Sequence, residues 1–120
     1  MPVKTILLSN NYSQGPLGVV QQELPEGFRL ESLVQSSKEE LISKISRADY
    51  LLVSGRLAID KDVISAAKKL KMIQRTGVGM DNMDVAPIRE RGIPIYVNFG
   101  VNADSVAEHT ILLMLAATRN

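Results

Sequence analysis

Apolar positions along the chain gather in five short runs that alternate with stretches of helical periodicity. The runs lie at residues 5–9, 28–34, 50–54, 71–75 and 93–97. Short apolar runs bounded by turn residues are typical of strands buried in a sheet. The second run alternates only loosely between apolar and polar residues, which is typical of an edge strand.

The stretches between the runs carry the signals of helix starts. Ser37 and Glu40 form a capping box, in which the serine hydroxyl and the glutamate carboxylate are expected to accept from each other's backbone amides. Asp60 and Asp84 are predicted to be the N-caps of two further helices. Residues 16–24 are predicted to form a short helix near the start of the chain.

Five strands alternating with five helices predict an α/β fold, a doubly wound parallel sheet with helices on both faces. The first run is strongly apolar, as a central strand is, whereas the second is weak. This contrast predicts the flavodoxin-like strand order 2-1-3-4-5.

The last helix, predicted over residues 103–119 with Asn102 as its N-cap, is unusual. Residues 111–117 read ILLMLAA, which is apolar all round the helix rather than along one stripe. One face of a sheet cannot cover such a helix. We therefore predict that it packs against something beyond this domain, either another copy of the chain in a homo-oligomer or a second domain.

Composition and charge narrow the class of protein. The chain has 120 residues, enough for one domain, with 45% hydrophobic and 22% charged residues. The net charge of +1 comes without a basic stripe, so neither a nucleic acid nor a membrane is an expected partner. The chain contains no cysteine, which fits a reducing compartment, and we expect a cytoplasmic location.

The most informative stretch is Gly77-Val78-Gly79, which directly follows the fourth predicted strand. Two glycines in three positions are expected to take positive φ and to bring bare amide groups close to a ligand. Successive amides in such a turn form a nest for an anion, and the carboxyl edge of a parallel sheet is where open α/β folds bind ligands. The hypothesis is that a small anionic substrate docks here.

Plainer interpretations stand beside this one. The turn can be a tight connection that uses glycine for steric reasons alone, and Arg75 can pair with a surface acid rather than with a substrate. His109 is the only histidine and has no cysteine or carboxylate at ligand spacing, so we predict a structural role for it. Asp81 and Asp84 are weak candidates for a metal pair, and Asp81 is better interpreted as bonding amides of the turn.

Three motifs of the second half carry a resemblance to a known family. They are RTGVGMDNMD at residues 75–84, ERGIP at 90–94 and NADSVAEHT at 102–110. In order and spacing they resemble the D-isomer-specific 2-hydroxyacid dehydrogenases. In that family a flavodoxin-like and a Rossmann-like domain enclose a cleft, and this chain resembles the smaller, substrate-binding domain.

The resemblance implies roles for several residues. The amides of Val78 and Gly79, in the turn that starts at Gly77, would hold the carboxylate of a small 2-hydroxy or 2-oxo acid. Asn102 would lie near the substrate, and Val106 would border the nicotinamide. The last helix would be the connector to the cofactor domain, which divides the chain into a substrate-binding domain at 1–101 and a connector helix at 102–120.

Other family features are expected outside this chain. The glycine-rich fingerprint for NAD or NADP should follow the last helix, and the sequence ends at Asn120. The resemblance places the catalytic histidine, glutamate and arginine beyond that point, so no catalytic residue is assigned and the chain alone is expected to be inactive and to bind no cofactor. The alternative is a stand-alone flavodoxin-like binding or self-associating module.

Two local departures bear on the substrate. Asn98-Phe99-Gly100 stands where many family members have Thr-Pro-Gly, and Ser54-Gly55 replaces an arginine-serine pair common after the third strand. The choice among 2-hydroxy acids is therefore open.

Overall fold

The five apolar runs form one parallel sheet with strand order β2-β1-β3-β4-β5, as the sequence predicts. The computed structural model of the chain describes residues 2–55 and 57–119. Its elements are, in chain order, β1 (Lys4–Leu8), α1 (Gln14–Gln22), β2 (Phe28–Glu31), α2 (Lys38–Ile45), β3 (Tyr50–Val53), α3 (Lys61–Ala66), β4 (Met72–Arg75), α4 (Val85–Glu90), β5 (Ile95–Tyr96) and α5 (Ala103–Ala117). The predicted fold class is confirmed.

One face of the sheet forms the core. Leu7, Leu51 and Ile73 lie side by side in the strand register and are buried. The helical side chains packed in the same cluster are Leu41 and Ile45 of α2, Val63 and Ile64 of α3, and Ile88 of α4. Burial of this cluster is the main favourable contribution to folding.

The opposite face is only partly covered. Ile6, Tyr50 and Met72 lie side by side there and are half-buried. Together with Val20 of α1 and the nearby Leu24, they line an open apolar cavity of about 460 Å³.

The last helix, α5, extends from this body. None of its side chains is buried, and Ile111, Leu113 and Leu115 are each more than half exposed. The molecule accordingly measures 57 × 34 × 26 Å along its principal axes. The apolar pattern that made this helix unusual in the sequence is thus uncovered. Within the part of the chain that the structure describes, no helix has the length and apolar character needed to cross a bilayer.

The capping box forms only in part. The Ser37 hydroxyl accepts from the Glu40 amide at 3.2 Å, as predicted. The Glu40 carboxylate, however, turns away from Ser37 and accepts from the amides of Val34 and Gln35, each at 2.8 Å. The prediction was wrong for the carboxylate because two amides of the preceding loop compete successfully with the single amide of the cap.

The other predicted N-caps differ in outcome. The Asp60 carboxylate accepts from the amides of Asp62 and Val63, so this cap is confirmed. The Asp84 side chain makes no cap bond; its backbone amide donates instead to the Ile59 carbonyl at 2.9 Å, which fixes the start of α4. Asn102 makes no side-chain cap bond either, because its ψ of 14° departs from the extended conformation of an N-cap.

The edge of the sheet opposite the glycine turn is held by a buried acid. Asp49, just before β3, accepts from the Thr5 amide at 2.9 Å and pairs with Lys69 at 3.2 Å. The hydrogen bond from Thr5 and the ammonium group of Lys69 hold the pKa of this carboxyl below its usual range. The charge therefore joins β1 to β3 at the amino ends of the strands.

Candidate functional site

The Gly77–Gly79 turn leaves the carboxyl end of β4 beside the end of β3. The Thr76 amide donates to the Val53 carbonyl at 3.0 Å, and the Thr76 hydroxyl donates to the same oxygen. These bonds continue the sheet by one residue and fix the point from which the turn departs. The turn therefore lies at the sheet edge where the sequence predicted a ligand site.

The turn does not use positive φ, and that prediction was wrong. The described glycines with positive φ are Gly27, Gly55, Gly92 and Gly100. At Gly77 an added Cβ would meet no atom within 4 Å, and at Gly79 it would meet the Asp81 carboxylate at 3.4 Å. These glycines thus contribute open access to the backbone rather than a left-handed conformation.

One side of the turn is bonded to Asn98, in the loop after β5. The Asn98 amide donates to the Gly77 carbonyl at 3.1 Å, and its side-chain Nδ2 donates to the Thr76 carbonyl at 3.4 Å. Gln74 Nε2 donates in turn to Asn98 Oδ1 at 3.2 Å and to the Arg75 carbonyl at 3.0 Å. Three successive carbonyl groups leading into the turn are therefore occupied by the protein.

The other end of the turn is held by Arg75. Its Nε donates to the Gly79 carbonyl at 2.7 Å, while its Nη1 is buried without a partner among the described residues. The structure shows no acceptor within the described chain for the amides of Gly77, Val78 and Gly79. A turn whose carbonyls are largely bonded and whose amides are not is suited to an anion.

Asn82 ties the far side of the turn to the loop before α3. The side-chain Nδ2 of Asn82 donates to the Leu57 carbonyl at 2.8 Å, and the backbone carbonyl of Asn82 accepts from the Ile59 amide at 2.8 Å. Asp81 makes no hydrogen bond with the described residues, so the predicted bonds from Asp81 to amides of the turn are not observed. Asn82, rather than Asp81, therefore ties the segment after the turn to the rest of the fold, and it does so without bonding the amides of the turn.

The neighbouring strand ends carry a second polar cluster. The Ser9 hydroxyl donates to the Ser54 carbonyl and accepts from the Ser54 amide, both at 3.0 Å, and the Tyr12 hydroxyl bonds the Ser54 hydroxyl. Gly55 has a φ of 73°, and a Cβ there would lie 2.9 Å from Asn10 Nδ2. Uncharged groups that bond one another thus surround Ser54 and Gly55, the two positions where the resemblance described above leads one to expect an arginine and a serine.

The remaining predicted site residues lie on α5 or directly before it. Asn102 precedes its first turn and its carbonyl accepts from the Val106 amide at 3.0 Å; both side chains are exposed. The loop that begins with Asn98 leads directly to them. His109 is also exposed, and the described residues contain no group of acids or histidines suited to a metal ion.

Sequence reasoning assigned no role to Gln74 or Asn82. Both are amide side chains at the carboxyl end of β4 or just beyond it, which is the signal that could have identified them. The bonds that tie them to the rest of the site are long-range: besides the adjacent Arg75 carbonyl, Gln74 bonds a residue 24 positions away, and Asn82 bonds one 25 positions away.

Comparison with known proteins decides the family. The model of the D-isomer specific 2-hydroxyacid dehydrogenase catalytic domain matches residues 6–120. The chain belongs to this family. The resemblance carried by the three sequence motifs is thereby confirmed.

The relatives include several dehydrogenases. The chain is 43% identical over 93 residues to D-3-phosphoglycerate dehydrogenase of Archaeoglobus fulgidus, which covers 78% of this chain and 18% of the relative. It is 42% identical over 83 residues to hydroxypyruvate reductase of Thermotoga maritima, which covers 69% of this chain and 27% of the relative.

A solved structure agrees with the fold. The NAD+-bound 3-phosphoglycerate dehydrogenase of Entamoeba histolytica matches with a TM-score of 0.81 and 27% identity. The match covers 93% of this chain and 38% of that one. The chain thus spans well under half the length of these relatives.

Proposed function

We propose that this chain is the substrate-binding domain of an NAD- or NADP-dependent D-2-hydroxyacid dehydrogenase. In this proposal the Gly77–Gly79 turn binds the carboxylate of a small 2-hydroxy or 2-oxo acid. The observation that supports it most is the polarity of the turn: the Gly77 and Gly79 carbonyls accept hydrogen bonds from the protein, whereas three successive amides have no acceptor within the described chain.

The electrostatics of the turn fit a monoanion. The Arg75 guanidinium and the Asp81 carboxylate both lie beside Gly79. Their opposite charges largely offset each other, so the bare amides of Gly77, Val78 and Gly79 dominate the attraction for a carboxylate. A pyrophosphate would bring a second negative charge toward Asp81, which disfavours this turn as the cofactor site.

In the whole enzyme, this domain would contribute to catalysis by positioning the substrate. Two amides on one carboxylate, with Asn102 nearby, would fix the orientation of the substrate's C2 carbon. The nicotinamide, when bound, supplies or accepts the hydride at C2. Val106, one helical turn beyond Asn102, would provide an apolar contact beside the nicotinamide. The groups that hold the rest of the cofactor would lie outside the described residues.

An amide-resolved titration tests the proposal. Glyoxylate added to the 15N-labelled chain should shift the amide signals of Gly77, Val78 and Gly79 in a saturable way, whereas an equal concentration of chloride should not. Shifts confined to other regions, or none at all, would overturn it. Added NADH should produce no reduction of glyoxylate, pyruvate or hydroxypyruvate by this chain alone.

For α5 we propose the connector role, with the domain at 1–101 and the connector at 102–120. Its exposed apolar side chains also support a homo-oligomer through residues 103–119. Light scattering on Leu113→Glu tests this, with Val19→Glu on α1 as a matched control, since both side chains are more than half exposed. If the Leu113→Glu variant self-associates as strongly as the wild type does, α5 is not part of the interface.

The cytoplasmic location stays a prediction that rests on composition. The absence of cysteine supports it, because it fits a reducing compartment. The lack of a basic stripe supports a small acid rather than a nucleic acid or a membrane as the partner. Fluorescence microscopy of the tagged protein in its source cells would test it.

A further inference from the structure

Asn98 contacts the glycine turn through both its backbone and its side chain. Its amide donates to the Gly77 carbonyl at 3.1 Å, and its Nδ2 donates to the Thr76 carbonyl at 3.4 Å. In a trans peptide unit the carbonyl of one residue and the amide of the next point in opposite directions. Fixing the Thr76 carbonyl therefore aims the Gly77 amide, and fixing the Gly77 carbonyl aims the Val78 amide.

Gln74 determines which way the Asn98 side chain faces. Its Nε2 donates to Asn98 Oδ1 at 3.2 Å. A flipped Asn98 amide would place two donors together at Gln74 and two acceptors together at Thr76. The orientation that presents Nδ2 to the Thr76 carbonyl is therefore the favoured one.

We propose that Asn98 is a positioning residue that aims the Gly77 and Val78 amides away from the loop after β5 and toward the bound anion, with Gln74 orienting its side chain. This inference rests on the proposed function of the turn. It adds a division of labour: the side chain controls the Gly77 amide, whereas the backbone controls the Val78 amide. Because Asn98 is exposed, its replacement leaves the core intact.

Asn98→Ala tests the division of labour. It removes the bond to Thr76 and keeps the backbone bond to Gly77. The 15N order parameter of the Gly77 amide should fall, while that of Val78 should stay close to its wild-type value. Loss of one hydrogen bond should weaken glyoxylate binding about two- to tenfold, with the melting temperature little changed.

Gln74→Leu provides a second, independent variant. It conserves volume beside the apolar cavity and removes the donor that orients Asn98. It should weaken glyoxylate binding to a similar extent, and the double variant should bind no more weakly than the weaker single variant, because both changes break one chain of bonds. Gln22→Leu, on the exposed surface of α1, is the matched control and should bind as the wild type does.

The two arms separate failure of the inference from failure of the proposed function. Unchanged Gly77 order parameters in both variants would overturn the positioning role, whether or not glyoxylate binding is weakened. Equal loss of order at Gly77 and Val78 would overturn the division of labour. If the variants mobilise Gly77 as expected but the wild type shows no glyoxylate shifts, the proposed function is wrong, and with it the anion-directing part of this inference.

Discussion

Glu40 should make the stability of this domain fall in acid. Its carboxylate pairs with Lys44 at 2.8 Å and accepts from the amides of Val34 and Gln35. The bond to Lys44, followed by the two amides, lowers the pKa of Glu40 from 4.5 to about 2. Glu40→Gln removes the charge and keeps a side chain of the same shape.

The magnitude follows from the pKa. A shift from 4.5 to about 2 corresponds to about 3 kcal/mol if the group were fully shielded from water. The Glu40 side chain is 17% exposed, so we discount this to about 1–2 kcal/mol for solvent screening. Because the pKa is lowered on folding, this stability is present above pH 4.5 and is lost as the pH falls toward 2.

Urea unfolding followed by circular dichroism, at pH 7, 4.5 and 3, measures the effect. The wild type should exceed Glu40→Gln by about 1–2 kcal/mol at pH 7, and the difference should shrink between pH 4.5 and 3. Asp49 and Asp60 also have lowered pKa values. Because the wild type and Glu40→Gln both contain these two acids, the difference in unfolding free energy between the two proteins reports on Glu40 alone. A difference that stays constant from pH 7 to pH 3 would show that the charge of Glu40 does not supply this stability.

Two further pairs of substitutions test a glycine turn and two helix starts. Gly55→Ala places a residue with a side chain at positive φ, with its Cβ 2.9 Å from Asn10 Nδ2. We expect the free energy of unfolding in urea to fall by about 1–3 kcal/mol. Gly18→Ala, in α1 with open space around it, should instead be neutral or stabilising. Asp60→Ala should cost about 1–2 kcal/mol through loss of the α3 cap, whereas Asp84→Ala, which removes no cap bond, should cost under about 0.5 kcal/mol. Equal losses for the two aspartates in thermal unfolding would contradict this assignment.

The sequence predicts the sheet well because the relevant signals are local. The contrast between the strong first run and the weak second one was enough to predict the strand order, and Asp60 caps α3 through amides two and three residues away. The Glu40 carboxylate was predicted wrongly because it has competing amides in the preceding loop. The local sequence shows that an acceptor such as the Glu40 carboxylate lies near a helix start. It does not show which of several nearby amides will donate to that acceptor.

The site was only partly predictable. Gly77 and Gly79 indicate a turn with accessible backbone, yet glycine permits both signs of φ and so does not specify one. The bonds that orient the turn join residues far apart in sequence, such as Gln74 and Asn98. Their pairing depends on the β4–β5 register, which no local pattern encodes.

The most direct test of the central claim is a crystal structure of this chain with oxamate, a stable 2-oxo acid analogue. The oxamate carboxylate should lie at the turn, with its oxygens about 2.8–3.1 Å from the amide nitrogens of the Gly77–Gly79 segment. Oxamate bound only elsewhere, or a turn whose amides have become bonded to the protein itself, would contradict it.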